Sequence, residues 1–340
     1  EYRRYSFHAP QAHLTNAQRL SHAPKALPST IMRQLLQSTT AYKILSRDAS
    51  SGKLSHAYML YFQDSANMRF ALKYFCLALF GADENSRVGS LIMDESFSDV
   101  KVYPAVGKKP SVSDADEIIG DCALKPIEGD KKAYIFDCFD GASAIVQNKL
   151  LKALEEPPSG VYFLLGATSL APVLPTIRSR VKLLEIQPFS EVQIAQALDR
   201  LGGDSRLNAL AASSCSGDFG QAQAMVSGQW FKEILSAAQE ICRADSLAKA
   251  GEVSLKYGDV KEKTQLLRQM QLIYCGQLKN CLSQGDISGS TFTRPALLHA
   301  VGAVNKALED LNFNAGFSAL LYDITAGIIR ENDKWKKLLV

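Results

Sequence analysis

Short apolar runs alternate with segments of helical periodicity between residues 31 and 187, and no other feature constrains the fold as strongly. Apolar runs of this length suit strands that are buried on both faces of a parallel sheet. The predicted strands are His56–Phe62, Asp99–Tyr103, Ala133–Phe136, Val161–Ala167 and Val181–Ile186. Strands that alternate with helices predict a parallel α/β sheet with crossover helices. We therefore expect residues 31–187 to form one α/β domain.

The helical segments of this region carry start and stop signals. The pattern over Ile31–Arg47 is helical, and a further helix is predicted to end at Gly81, a residue suited to a left-handed C-cap. A third helix is expected over Asp114–Leu124, with Ser113 or Asp114 as its N-cap. The last two lie between consecutive predicted strands, as crossover connections require.

Beyond Pro188 the pattern is almost wholly helical. A chain of 340 residues exceeds what one hydrophobic core usually covers, so two or three domains are expected. We predict a small helical domain over 188–230 and a larger helical domain over 231–340. Residues 1–30 show little periodicity and are predicted to form an extended arm.

The composition argues against several classes of protein. A net charge of +3 is weaker than usual for a protein that binds duplex DNA by itself. The seven cysteines are scattered without the spacing of a zinc knuckle, so reduced thiols and no metal are expected. No apolar run is long enough to span a membrane, and we expect a cytoplasmic protein without a cofactor.

The turn after the first predicted strand is where a nucleotide-binding protein places its phosphate loop. That loop needs glycines whose N–H groups wrap the phosphates, a Lys for the β- and γ-phosphates, and a Ser or Thr hydroxyl for Mg²⁺. Residues 62–69 contain no glycine. Met68 stands at the position of the lysine and Arg69 at the position of the hydroxyl residue, and Asn67 directly precedes them. Asp64 would also repel a phosphate. These residues predict an ordinary strand-to-helix turn.

The end of the third predicted strand points the same way. An ATPase would place an Asp-Glu pair there to hold Mg²⁺ and activate water, whereas this chain has Asp137 followed by Cys138. A thiol cannot replace the carboxylate base, and Asp137 alone is interpreted as a helix or loop cap. Several requirements of ATP hydrolysis are unmet together, which predicts a degenerate nucleotide site.

Three further segments stand out: Lys53–Tyr58 (KLSHAY), Gln147–Pro158 (QNKLLKALEEPP) and Phe163–Val181 (FLLGATSLAPVLPTIRSRV). They resemble, in order and spacing, segments of the bacterial clamp-loader subunits of the AAA+ family. The second is similar to the Walker B region and next helix, and the third to the sensor 1 and SRC segment. Asn312–Leu321 (NFNAGFSALL) is more weakly similar to a motif of the C-terminal collar.

The resemblance implies an AAA+ αβα domain over 31–187 and a lid domain over 188–230. It also implies a helical collar over 231–340, through which subunits assemble. Within the family, the chain resembles the delta-prime type best. The ATP-binding subunits usually carry a four-cysteine zinc module, whereas residues 82–121 contain no Cys.

The resemblance also suggests roles for single residues. Ser179 and Arg180 correspond to the SRC motif, which implies that Arg180 acts as an arginine finger in a neighbour's ATP site. The alternative is a surface Arg in a salt bridge, and Arg178 is a weaker candidate for the finger. Thr168 stands at the sensor 1 position, where we expect a locally satisfied strand-end hydroxyl. The sensor 2 segment, Gly217–Ala222, contains no Arg.

Lys149 and Lys152 lie one turn apart on the helix after the Walker B segment. In clamp-loader rings that helix borders the chamber that holds primer–template DNA, so the two side chains are candidates for phosphate contact. The alternative is a solvated helix face that pairs with Glu155 and Glu156.

The resemblance and the degenerate site together predict a non-hydrolysing stator subunit of the DNA polymerase III clamp loader. Its expected partners are ATP-binding gamma/tau-like subunits and a delta-like subunit, with the sliding clamp and primed DNA contacted through the complex. Two alternatives stay open: a divergent DNA-dependent AAA+ ATPase, and an AAA+-derived DNA-binding or scaffold protein outside replication.

Overall fold

The structure, a computed structural model, describes residues 29–284, 292–311 and 316–338. It consists of two compact units that divide between Ala224 and Met225. Nearly all of the predicted arm at residues 1–30, and the first four residues of the predicted collar motif, lie outside the described residues.

A five-stranded parallel sheet forms the core of the first unit. Its strands are β1 (Ala57–Tyr61), β2 (Val100–Tyr103), β3 (Lys132–Phe136), β4 (Val161–Ala167) and β5 (Lys182–Glu185). Their spatial order is β2-β3-β4-β1-β5, and every pairing is parallel. Each predicted strand is present, with bounds that differ by no more than one residue. The predicted α/β class is confirmed.

Apolar and aromatic side chains pack the middle of the sheet. Tyr134 of β3 lies opposite Phe163 of β4 in the parallel register, and their rings stack with centroids 5.4 Å apart. An aromatic pair of this kind adds about 0.5–1.5 kcal/mol to the contribution of burial alone. Leu150 and Leu154, from the helix between these strands, belong to the same buried cluster. The apolar runs in the sequence are therefore buried strands.

The described helices of the first unit surround or follow the sheet. They are α1 (Ser29–Ser38), α2 (Thr40–Ser50), α3 (Met68–Phe80), α4 (Arg87–Met93), α5 (Val112–Cys122), α6 (Ala144–Glu155), α7 (Pro175–Arg178), α8 (Glu191–Leu201), α9 (Ser205–Ser214) and α10 (Phe219–Ser227). The division between the two units falls within α10. The separation of residues 188–230 as a lid domain stays a prediction.

Two predicted helical segments differ in detail from the structure. The segment Ile31–Arg47 forms two helices, because the Thr39 side-chain oxygen accepts a hydrogen bond from the first turn of α2 and so starts a new helix. Helix α5 begins earlier than predicted, because Ser111 is its N-cap and forms a capping box with Asp114. Gly81 ends α3 in the left-handed conformation with φ 65°, as predicted.

The second unit is all-helical in the described residues. Its helices are α11 (Gln229–Cys242), α12 (Leu247–Tyr257), α13 (Lys263–Gln284), α14 (Arg294–Asp310) and α15 (Phe317–Leu338). A core of its own includes Ile241, Leu266, Met270, Leu297 and Leu321. Among the helices described in either unit, none combines the length and the apolar character needed to cross a membrane.

Candidate functional site

Several of the predicted site residues lie at the carboxyl edge of the sheet. The turn at residues 62–67 follows β1, Asp137 and Cys138 follow β3, and Thr168 follows β4. Because β3, β4 and β1 are neighbours in a parallel sheet, the fold brings these segments together. The carboxyl edge is also where open α/β sheets bind their ligands.

Met68, at the position of the phosphate-loop lysine, is the first residue of α3 and is only 1% exposed. Its side chain packs against the β4 backbone at Gly166. A Cβ atom at Gly166 would lie 2.8 Å from the Met68 Sδ atom, so the glycine gives this side chain its room. Met68 is therefore a core residue between α3 and β4.

Arg69, at the hydroxyl position, is held by two carboxylates. Its Nε and Nη2 atoms donate to Glu95 at 2.7 and 2.5 Å, and its Nη1 atom lies 3.7 Å from Asp137 Oδ2. Nη1 also donates to the Pro104 carbonyl at 2.9 Å. Burial raises the pKa of Glu95, but the hydrogen bonds from Arg69 and Lys73 outweigh burial and lower it overall. The Arg69 guanidinium is thus engaged within the chain.

Asp137, predicted as a cap, has Arg69 and the thiol of Cys138 as side-chain partners. The Cys138 Sγ atom donates to Asp137 Oδ1 at 3.4 Å. Burial raises the pKa of Asp137, against the hydrogen bond from Cys138 and the charge of Arg69. Burial and the Asp137 charge raise the pKa of the Cys138 thiol to about 12. The thiol therefore stays protonated at neutral pH.

Thr168 is satisfied locally by Asp140, which follows β3 in the short turn Phe139–Gly141. The Thr168 backbone N–H and hydroxyl both donate to Asp140 Oδ2, at 2.9 and 2.7 Å, and the Ser169 N–H donates to the same oxygen at 3.0 Å. This is the satisfied strand-end hydroxyl that the sequence predicts. Asp140 itself has no motif that marks it, because its role depends on β3 lying beside β4.

Asp64 is a buried acid in the turn before α3, with 1% exposure. Its carboxylate accepts hydrogen bonds from the Asn67 backbone N–H at 3.0 Å, the Asn67 side-chain amide at 2.7 Å and the Gly220 backbone N–H at 2.8 Å. Burial raises the pKa of Asp64, and these hydrogen bonds oppose the rise. Gly220 lies 156 positions along the chain, so no local pattern announces this contact.

A second carboxylate, Asp218, interacts with Asp64 from the start of α10. Its Oδ1 atom accepts a hydrogen bond from the Gln221 backbone N–H at 2.8 Å. Burial and the negative charge of Asp64 raise the pKa of Asp218 to about 6. Two mutually repelling acids therefore lie close together beside the turn at residues 62–67.

These groups do not fit a bound Mg-nucleotide. Phosphates need free backbone N–H groups and a lysine, whereas here Asp64 occupies N–H donors and Met68 is buried. Arg69 is paired with Glu95 and Asp137. Among the described residues, no group of three or more His, Cys, Asp or Glu side chains could hold a metal ion.

Arg180 lies just before β5 and therefore at the amino ends of the parallel strands, opposite the turn at residues 62–67. Its Nη2 atom forms an ion pair with Glu155 Oε1 at 2.6 Å, and its Nη1 atom donates to the Thr176 carbonyl at 2.8 Å and the Ser179 hydroxyl at 3.2 Å. The Arg180 side chain is 35% exposed, and Arg178 is exposed too. A surface ion pair, the alternative that the sequence leaves open, is therefore present at Arg180.

Gln147 positions the segment that carries Arg180. It is buried on α6, where its Nε2 atom donates to the Ala142 and Pro172 carbonyls at 3.0 Å each. Its Oε1 atom accepts the Leu174 N–H at 2.8 Å, directly before α7. The amide thus links α6 to the turn that precedes it and to the segment that precedes α7. Its place in the QNKLL segment is the only sequence signal for this role.

Residues 37–190 match the protein family described as DNA polymerase III, delta subunit. The matched stretch contains the whole sheet and both of its edges. This α/β domain belongs to the clamp-loader AAA+ family. The clamp-loader domain therefore includes Arg180 as well as the turn at residues 62–67.

Known relatives cover only part of the chain. It is 37% identical over 90 residues to DNA polymerase III subunit tau/gamma of Haemophilus influenzae, across 26% of this chain and 13% of that protein. It is 34% identical over 90 residues to DNA polymerase III subunit gamma of Buchnera aphidicola subsp. Acyrthosiphon pisum, across 26% and 25%. The matches thus span about an eighth to a quarter of these relatives. A solved gamma subunit-related protein from Thermotoga maritima is 16% identical, with a TM-score of 0.45 over 86% of this chain and 99% of that chain.

The two lysines of the clamp-loader domain have different surroundings. Both are exposed, and Lys149 forms an ion pair with Asp116 of α5, which packs beside α6. The alternative of a solvated helix face fits both exposed lysines, but the acidic partner of Lys149 is Asp116 on the neighbouring helix and not Glu155 or Glu156.

Proposed function

We propose that this chain is a delta-prime-like subunit of the DNA polymerase III clamp loader, which hydrolyses no ATP itself and gives Arg180 to a neighbour's ATP site. The separation of Arg180 from the chain's own loop position carries the proposal. Residues 62–69 follow the carboxyl end of β1, whereas Arg180 precedes the amino end of β5, the strand paired with β1. In a parallel sheet these are opposite ends of the strands, which supports a role for Arg180 at another subunit's ATP site and not at the chain's own loop.

The side chains at the carboxyl edge support the absence of hydrolysis. Met68 is buried in the core and Arg69 is bound to Glu95, so neither the lysine nor the hydroxyl of a phosphate loop is presented. The pKa of the Cys138 thiol is raised to about 12, so the thiol keeps its own proton at neutral pH. It therefore cannot act as the base that takes a proton from an attacking water. The same features disfavour a divergent ATPase.

The chemistry of Arg180 supports the role in trans. An arginine keeps its charge and offers a planar fork of donors, so it can bind two phosphate oxygens at once. Its ion pair with Glu155 is partly exposed, and such pairs contribute only about 0–1 kcal/mol. A phosphate of a neighbouring subunit could therefore replace Glu155 at little cost.

The proposed partners follow from the family. They are ATP-binding gamma/tau-like subunits and a delta-like subunit, with the sliding clamp and primed DNA reached through the complex. We assign assembly to the helical region from residue 231 onward. Both lysines are exposed, and because Lys149 is paired with Asp116, Lys152 is the better candidate for contact with DNA phosphates.

A clamp loader reconstituted with this chain, its ATP-binding partners, the clamp and primed DNA tests the proposal. Arg180→Ala should leave assembly normal while clamp- and DNA-stimulated ATP turnover and clamp loading fall clearly. In other phosphoryl-transfer enzymes an arginine finger contributes on the order of 10³ or more in rate, and the bulk effect should be smaller here because several ATP sites operate. Arg180→Lys should rescue little, since Lys is a point charge.

Glu155→Gln is the matched control, because it removes the ion pair but keeps the guanidinium. If Arg180 acts as a finger, Glu155→Gln should retain most of the ATP turnover that Arg180→Ala loses. If Arg180 only stabilises its own chain, the two variants should behave alike. Arg178→Ala should have much less effect. Wild-type rates in an assembled Arg180→Ala complex would show that the arginine has no role in turnover.

A further inference from the structure

One carboxylate in the clamp-loader domain faces the N-termini of two helices. Asp64 is 1% exposed and accepts the backbone N–H of Asn67 at 3.0 Å and that of Gly220 at 2.8 Å. Asn67 directly precedes α3, and Gly220 is the second residue of α10. The side-chain amide of Asn67 adds a third hydrogen bond at 2.7 Å.

The N-terminus of a helix binds anions for a simple reason. Its first N–H groups have no partner within the helix, and they form the positive end of the helix dipole. Phosphate loops use this property to hold the phosphates of a nucleotide. In this chain the Asp64 carboxylate makes the same kind of charge-assisted hydrogen bond, which is roughly twice as strong as a neutral one.

The start of α10 approaches the turn too closely for any side chain at Gly220. A Cβ atom there would lie 2.4 Å from Asp64 Oδ1 and 2.8 Å from the Ala66 Cβ atom. A second close approach lies three residues earlier, at Gly217, which has φ 85° and whose carbonyl accepts the Phe189 N–H at 3.1 Å. The first residues of α10 thus contact the turn, and the residues just before α10 contact the segment after β5.

We propose that the buried Asp64 carboxylate replaces a bound phosphate as the link between the turn after β1 and helix α10. The start of α10 is then held on the α/β domain whether or not a nucleotide is present. This inference uses only contacts within the first unit and does not depend on the role of Arg180. It accounts for a carboxylate at the position where a phosphate loop would bind a phosphate.

Hydrogen–deuterium exchange on the full chain tests this link. Asp64→Asn keeps the shape of the side chain but removes its charge, and Asp64→Ala removes the acceptor altogether. Both variants should speed amide exchange over residues 217–224 by about tenfold or more, because the buried Gly220 N–H loses the Asp64 carboxylate and keeps only its interaction with Asp218. Addition of inorganic phosphate should restore much of the protection in Asp64→Ala and change nothing in the wild type.

Asp99→Asn is the matched control. Asp99 is also 1% exposed and accepts two backbone N–H groups, from Ile127 at 2.6 Å and Glu128 at 2.7 Å. Its replacement should speed exchange near residues 127–128 and leave α10 unchanged. If Asp64→Ala does not fold, the comparison of Asp64→Asn with Asp99→Asn decides the question.

Three results would overturn the proposal. The first is α10 exchange in both Asp64 variants within about twofold of the wild type. The second is acceleration at α10 by Asp99→Asn of the same size, which would indicate general destabilisation. The third is lost protection in Asp64→Ala that phosphate does not restore, which would make the carboxylate an ordinary hydrogen-bond partner and not a substitute for phosphate.

Discussion

Two arginines of the clamp-loader domain differ in how firmly the chain holds them. The Arg69 side chain is 19% exposed and has Glu95 and Asp137 as acidic partners, whereas Arg180 is 35% exposed and pairs with Glu155. The half-buried Arg69 guanidinium is held from two sides, so breaking its pairs would leave a partly desolvated charge uncompensated. An exposed pair exchanges partners at little cost. At the residue scale, burial therefore makes one arginine structural and leaves the other available.

Asp218 should make the stability of the first unit depend on pH. Burial and the charge of Asp64 raise its pKa from 3.8 to about 6. The folded chain then binds this proton more tightly than the unfolded chain, so the free energy of unfolding falls as pH rises from about 4 to 6 and stays lower above that. Asp218→Asn keeps an oxygen for the Gln221 N–H. It should raise the free energy of unfolding at pH 7.5 by up to about 1 kcal/mol, allowing for solvent screening.

Urea unfolding at pH 7.5 and pH 5 measures this effect. The gain of Asp218→Asn should shrink at pH 5, where wild-type Asp218 is mostly protonated. Asp204→Asn is the control, since Asp204 caps the exposed start of α9 by accepting the Arg206 N–H at 2.9 Å. Its effect should be small at both pH values. An equal gain from Asp218→Asn at both would contradict the prediction.

At the scale of elements, the packing of α3 against β4 explains why a phosphate loop cannot form here. Met68 begins α3 and fills the space above Gly166, with Leu72 one turn further along the same helix. A Cβ atom at Gly166 would lie 2.8 Å from both the Met68 and the Leu72 side chains. The Met68 side chain is therefore part of the core and is not presented to a ligand.

Met68→Lys should restore the residue type of a phosphate loop without restoring its function. A lysine buried at this position would have to lose its charge or draw in water, which should lower the free energy of unfolding by on the order of 3 kcal/mol. We expect no saturable binding of Mg-ATP by isothermal titration calorimetry, either to the wild type or to Met68→Lys.

Met68→Leu is the control, because it keeps the volume of the side chain and should cost less than about 1.5 kcal/mol. Thermal or urea unfolding of the three proteins gives the comparison. Stoichiometric micromolar binding of Mg-ATP to the wild type would refute the proposed absence of nucleotide binding. A stable Met68→Lys variant would show that this position is less enclosed than the structure indicates.

At the scale of the whole molecule, the second unit has a core of its own. Residues such as Ile241, Leu266 and Tyr274 are buried within one cluster whose buried members all lie between Ile234 and Ile329. A unit with a separate core should fold by itself. We therefore expect a fragment of residues 225–340 to give a cooperative unfolding transition and the circular dichroism of a helical protein.

The same fragment should co-purify with the clamp-loader partners that bind the full chain, because assembly is assigned to this region. A fragment of residues 29–224 serves as the control and should not assemble with them stably. If residues 225–340 fold but fail to co-purify, while the full chain succeeds, the assignment of assembly to this unit is wrong. Size-exclusion chromatography with the purified partners gives the measurement.

The order of strands and helices could be predicted from the sequence because it depends on local patterns of apolar residues. Val161–Ala167 was predicted to the residue, since a strand buried on both faces needs an unbroken apolar run. Helix boundaries were less accurate at Thr39 and Ser111, where a single cap side chain competes with the periodicity. The prediction of a degenerate nucleotide site rests on the residue types at Met68 and Cys138.

The partners of the site residues could not be predicted, because they come from distant parts of the chain. Asp64 meets Gly220 across 156 positions, and Arg69 meets Glu95 across 26. Periodicity reports which face of an element is apolar, but it carries no information on which elements become neighbours. The sequence thus determines the strands, the helices and the missing phosphate-loop groups. Only the tertiary structure decides that α10 packs against the turn after β1. There the Asp64 carboxylate becomes a buried link, because its hydrogen-bond donors come together only in the folded chain.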